Sequence, residues 1–185
     1  MITIEERWLK PIDNSTAQFN EAFRSLNEQQ LNWKPSPKEW SIAQNIDHLM
    51  VINKTYFPLI ESVLNGTYTL PWMGKIGFMV KFMGNMILQS VQPDRKRKMK
   101  TFPTWEPSSS NIGADILKRF ARHHEDLKGM ILSSKDLLAS NTIISSPANH
   151  NIVYKLETAF DIIVTHERRH LEQAKEVLAK MQRGA

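Results

Sequence analysis

The chain has 185 residues, a length for one domain with room for an insertion. Hydrophobic residues make up 41%, aromatics 9% and charged residues 23%, a globular composition that excludes a disordered or collagen-like chain. The net charge of +5 is mildly basic, and the absence of cysteine excludes disulfides, thiolate metal sites, iron–sulfur clusters and a cysteine nucleophile, which suits a reducing cytoplasm.

The N-terminal stretch MITIEERWLKPIDNSTAQF carries acids early and lacks an apolar signal-peptide core. From it a first helix is predicted on the stripe Ile12, Thr16, Phe19, Phe23, Leu26, which steps by three and four. Pro35 and Pro37 require it to stop before Asn32. A second helix opens with Ser41 as N-cap, runs through Asn45, His48, Ile52, Tyr56, Leu59 and Val63, and ends near Asn65–Gly66. The third opens around Ser110–Asn111 and runs through Ile116, Phe120, Leu127, Ile131 and Leu138. The fourth runs from about Ile152 to Met181. The only short strand candidate is Asn141–Ser145. Four long amphipathic helices predict an all-α chain, an antiparallel four-helix bundle in a single domain spanning 1–185.

Between the second and third helices lies an insertion, Thr67–Ser109. Its first part is rich in Met and aromatics, and Leu70–Val91 is apolar, but Lys75, Lys81 and three glycines argue against a membrane span. A basic run, Arg95–Lys100, follows; it reads as a solvated loop, or as an attractor for a carboxylate-bearing thiol or an acidic membrane surface. The insertion is expected to be a short helix capping the bundle or a lid bordering a pocket, and more mobile than the bundle. No nucleic-acid-binding motif accompanies the charge, and no GxGxxG or GxxxxGK[ST] loop occurs.

Chemistry gathers on the fourth helix. Its stripe reads Ile152, Leu156, Ala159, Ile163, His166, His170, Ala174, Val177, Met181, all on one face. His166 and His170, four apart, stack two imidazoles that either hydrogen-bond to neighbouring helices as core residues or grip one ion. His48 occupies the middle of the second helix on the side of Asn45, Ile52 and Tyr56, where a bundle lets it face them. Three imidazoles together favour an open divalent-metal site. Nearby amides, Gln44, Asn45 and Gln173, are either core-bordering polar residues or groups that orient an imidazole. His123 and His124 are read as flank positions of the third helix and His150 as a loop residue.

WSIAQNIDHL (Trp40–Leu49), followed much later by HERRHLEQ (His166–Gln173), resembles the DinB-like superfamily, which includes metal-dependent thiol transferases such as bacillithiol transferases and mycothiol-dependent isomerases. The resemblance covers essentially the whole chain. It implies a four-helix bundle, a divalent ion (zinc or nickel) held by His48, His166 and His170, a low-molecular-weight thiol and a small-molecule substrate, and a homodimer. Arg169 and Gln173 fit the family's HxxRHxxQ run. One departure is Ala148-Asn149-His150-Asn151, where a glycine-containing turn would follow Pro147. Asn tolerates left-handed geometry, so the departure touches the pocket rim rather than the fold.

The same residues spell HExxH, with Glu167 as a would-be general base. A zincin needs a third ligand downstream, and only fifteen residues follow His170. Glu167 lies about 100° around the helix from His166, toward a flank. The sequence therefore favours an enzyme that activates a thiol or water, with no nameable catalytic base. A non-catalytic metal-fastened bundle is the rival, and a hydrolase ranks behind it. Metal affinity is expected to fall as pH drops through the ordinary histidine range near 6.5.

Overall fold

A computed structural model describes residues 2–94 and 101–184; the basic run Arg95–Lys100 lies outside the described residues. The chain is mostly helical. Helix α1 spans Lys10–Phe23, α2 Glu28–Asn32, α3 Ile42–Leu64, α4 Gly77–Ser90, α5 Ile116–Ser133, α6 Lys135–Ala139 and α7 Leu156–Arg183. A single hairpin, β1 (Ile143–Ser146) and β2 (Asn149–Lys155), pairs antiparallel with Ile144 opposite Tyr154 and Ser145 opposite Val153. No helix among the described residues is long and apolar enough to cross a membrane.

Local chemistry sets the helix ends. Ser41 caps α3 by accepting from the Gln44 amide, while the Gln44 side chain bonds back to the Ser41 N–H. At the other end Gly66 takes φ +70°, the left-handed turn that a residue without Cβ adopts freely. Upstream of α1 the turn Glu5–Leu9 is a π-helix, with the Lys10 N–H reaching Glu5 O. Pro11 has no N–H to offer Arg7 O, and a widened turn just before it accommodates that loss. This segment is fastened to α7: Arg7 bonds Asp161 through two nitrogens at 3.0 and 2.6 Å, and Trp8 Nε1 donates to the same carboxylate at 2.9 Å.

Four long helices form a ring of contacts, with α1 and α3 each packed on both α5 and α7. The expectation of a helical chain holds in this coarse sense, with differences at several boundaries: α1 ends at Phe23, short of the stripe residue Leu26, and a separate α2 carries the chain to Asn32. Helix α5 starts at Ile116, later than Ser110–Asn111, and its pattern is broken after Ser133 before α6. Ile152, placed by the sequence in the last helix, lies in β2, and α7 begins at Leu156. The left-handed asparagine is Asn141 (φ 54°), which closes α6; the 148–151 turn needs no positive φ.

The insertion forms α4, which packs on β2 and α7. Gly84 permits this approach: a Cβ there would meet Thr158 Cγ2 at 3.1 Å and Tyr154 Cβ at 3.2 Å. Gly84→Leu should cost about 1–3 kcal/mol by overpacking. Denaturant unfolding reads this, and unchanged stability would mean that α4 docks more loosely than the structure has it.

The core is divided. One apolar cluster gathers Ile12, Ile52, Tyr56, Leu127, Ile131, Phe160 and Ile163; the other gathers Phe19, Phe23, Ile46, Leu49, Phe120, Leu171 and Ala174. Between them each long helix contributes polar side chains: Ser15 and Thr16 from α1, His48 and Asn53 from α3, His123 and His124 from α5, and His166, Glu167 and His170 from α7.

Candidate metal centre

His48, His166 and His170 are brought together at this polar level. Each offers one ring nitrogen, and the three nitrogens lie within 4.8 Å of one another. The surroundings fix which nitrogens face inward. Asn45 Nδ2 donates to Ser41 O at 2.8 Å, which leaves Asn45 Oδ1 to accept from His170 Nδ1 at 2.8 Å. His48 Nδ1 donates to Trp105 O at 2.5 Å. Both rings thereby carry a proton on Nδ1 and a lone pair on Nε2, the tautomer suited to ligation. His166 Nε2 stands 2.9 Å from His170 Nε2. That lone pair has to be met by a proton from His166 or by a cation shared between them. Three neutral imidazoles, two of them with the tautomer set by a partner, are a donor set that could hold one divalent ion, and no fourth His, Asp or Glu joins them among the described residues.

Burial keeps the rings neutral. Desolvation pushes the His48 pKa down to about 4 against the opposing pull of the Trp105 carbonyl. It drives His166 and His170 well below the ordinary histidine range, and neighbouring imidazoles and Arg169 push the same way. Trp40 covers the group, stacked on His170 at 5.9 Å and tilted against His48 at 4.6 Å.

The histidines line a cavity of about 190 Å³. Its other walls include Ile52, Ile87, Val91, Ile162, Phe102 and Trp105, and Arg169 and Gln173 also line it. Tyr56 and Tyr154 share a 2.8 Å hydroxyl–hydroxyl bond in the same cavity, and burial raises both pKa values, that of Tyr154 to about 12. They stay protonated donors near neutral pH. The expectation that the insertion borders the pocket is met by Ile87, Val91, Phe102 and Trp105. It is tied to the histidine-bearing helices as well. Arg169 donates to Ser90 O at 3.3 Å and Gln92 O at 3.0 Å, and Asp47 accepts from the Ser108 N–H and hydroxyl, both at 2.7 Å.

The other candidate residues divide between places the sequence suggests and places it does not. Asn45 orients His170, whereas Gln44 serves the α3 cap and donates to Ser109 O. His150 is exposed in β2. His123, His124 and Glu167 do not lie on outer flanks; all three are buried. Glu167 Oε1 lies 3.1 Å from His124 Nε2, and Thr16 Oγ1 lies 2.6 Å from His124 Nδ1. Glu167 is absent from the cavity wall, so the HExxH glutamate is a core partner of α5.

His123 stacks on Phe57 at 5.7 Å, and its Nε2 has no hydrogen-bond partner among the described residues. Desolvation lowers its pKa to about 4, and the neighbouring His124 adds to this. The folded chain thus binds this proton less readily than the unfolded chain. The stabilisation is complete above about pH 6.5 and is lost as pH falls from there through about 4. His123→Leu should remove roughly 2–3 kcal/mol of stability change across that window. A pH series of denaturant melts measures it, and an unaltered profile would show that His123 titrates normally.

A family model described as the DinB superfamily matches residues 12–174. The chain is also similar to the uncharacterized protein YuaE of Bacillus subtilis (strain 168), at 28% identity over 174 residues that cover 90% of this chain and 98% of that protein. No solved structure matches at a significant level.

Proposed function

The chain belongs to the DinB superfamily, and from that premise we propose that it is a metal-dependent enzyme, of thiol S-transferase type, acting on a small molecule. The helical ring would be the family's antiparallel four-helix bundle. His48, His166 and His170 would hold the ion, zinc or nickel by the family's habit. A divalent ion held there would be a Lewis acid that lowers the pKa of a thiol or of water. The observation that carries the reading is the convergence of three imidazoles, two of them of set tautomer, on the wall of an otherwise largely apolar cavity.

The chain's own residues supply the rest. Arg169 places positive charge in the cavity wall beside His166 and His170, which favours an anionic group such as a thiolate or carboxylate. The tyrosine pair offers a neutral hydroxyl proton to an acceptor on the substrate. Aromatic and aliphatic walls exclude water from the reacting groups and strengthen these interactions. A site that only fastened helices would be expected to present four protein ligands. Three support the catalytic reading over the structural one.

A panel of low-molecular-weight thiols with an electrophilic acceptor tests it, comparing wild type, His170→Ala and metal-free protein. Turnover that needs both metal and thiol is expected. Hydrolysis without thiol would make the chain a hydrolase, and silence with every thiol would return the structural reading. Burial also revises the pH expectation. Because burial keeps His48 neutral to about pH 4 and holds the other two well below the ordinary histidine range, metal should be retained at about pH 5 rather than lost near 6.5.

A further inference from the structure

Helix α4 has two faces. Val80, Gly84 and Ile87 turn inward, whereas Phe78 (72% exposed), Phe82 (54%) and Met86 turn outward at four-residue spacing. The Phe78 and Phe82 rings stack at 6.1 Å and stay exposed among the described residues, and Trp72 (67% exposed) and Ile76 extend the patch before the helix. Scattered surface apolar residues need no explanation, but aromatic side chains contiguous on one element mark a docking surface.

Charge selects the occupant. Lys75 and Lys81 are exposed within the patch and form no ion pair among the described residues. No acid occurs between Glu61 and Asp94. Residues 62–105 hold seven of the 24 basic residues and one of the 19 acids, so the remainder of the chain, with 17 and 18, is nearly neutral. The net positive charge of the protein therefore resides in this one span. A second copy seated on the same face would set like charges against one another.

We infer that the outer face of α4, with Trp72 and Ile76, docks on an anionic lipid bilayer. Its aromatic and Met side chains enter the boundary between headgroups and acyl chains, while Lys75 and Lys81 meet the headgroups. The inner face of the same helix stays packed on β2 and α7, so binding needs no unfolding of the insertion.

Vesicle flotation of the full chain tests this with vesicles of phosphatidylcholine alone or mixed with phosphatidylglycerol. The chain should float with the anionic vesicles at low salt, less as salt rises, and hardly at all with phosphatidylcholine alone. Phe78→Ser/Phe82→Ser should lower partitioning by more than about tenfold. Lys75→Gln/Lys81→Gln should lower it by about tenfold. Helical circular dichroism checks that each variant is folded, and the lysine pair and salt series decide if the serine pair is not. Failure to float with anionic vesicles, equal flotation with neutral ones, or partitioning untouched by either pair would overturn the inference. So would a dimer in solution that Phe78→Ser/Phe82→Ser breaks, in a protein that ignores vesicles.

Discussion

His170→Ala should lower metal affinity by well over a hundredfold and leave purified protein with little bound ion. The side chain offers Nε2 to the centre and is held by Asn45 through Nδ1, so its removal takes one of three ligands. Loss of an outer-shell partner alone typically costs about 10- to 100-fold. Asn45→Leu should fall in that smaller range, because the imidazole remains but its tautomer and orientation are no longer set. His166→Ala and His48→Ala should behave like His170→Ala. Titration of metal-stripped protein against a chromophoric chelator measures the series. Full affinity in His166→Ala and His170→Ala would remove the basis of the functional reading, and equal losses in Asn45→Leu and His170→Ala would point to collapse of the site.

Glu167 separates the rivals and carries the second large effect. Its carboxylate and the His124 imidazole are fully buried 3.1 Å apart, across the helical ring from one helix to the other. Removing one member of such a pair leaves the other without its partner in a dry interior. Glu167→Ala should therefore cost about 3–5 kcal/mol in stability. Glu167→Gln keeps the shape and a hydrogen-bonding oxygen, so a folded protein with metal affinity and thiol-dependent turnover near wild type is expected. A general base of a zincin would behave in the opposite way, with turnover collapsing at preserved stability. Measuring unfolding free energy and turnover on the same Glu167→Gln preparation decides between the two.

Helix α3 is legible end to end because both its signals are local: Ser41 with Gln44 at the start, Asn65 and Gly66 at the finish. The hairpin is not, because Ile152 stands four residues before Leu156 and continues the helical stripe into what is strand. Val153 and Tyr154, β-branched and aromatic, carry the competing signal, and pairing with Ser145 and Ile144 lets it win. His48, His166 and His170 are readable from spacing along two helices and from the family pattern. Spacing also places Glu167 correctly to one side of His166. It cannot say that this side faces α5, where His124 stands, since that depends on how four helices close into a ring. The tethers from Arg169 to Ser90 and Gln92, and from His48 to Trp105, likewise join residues far apart in sequence and leave no local trace.

The membrane-facing α4 and the metal centre make independent demands, and the second is the central claim. Elemental analysis of the chain purified without an affinity tag tests it most directly. About one divalent ion per chain is expected, retained through gel filtration near neutral pH and released by a strong chelator. Protein that is folded, accepts neither zinc nor nickel on reconstitution, and contains no stoichiometric metal as isolated would contradict it.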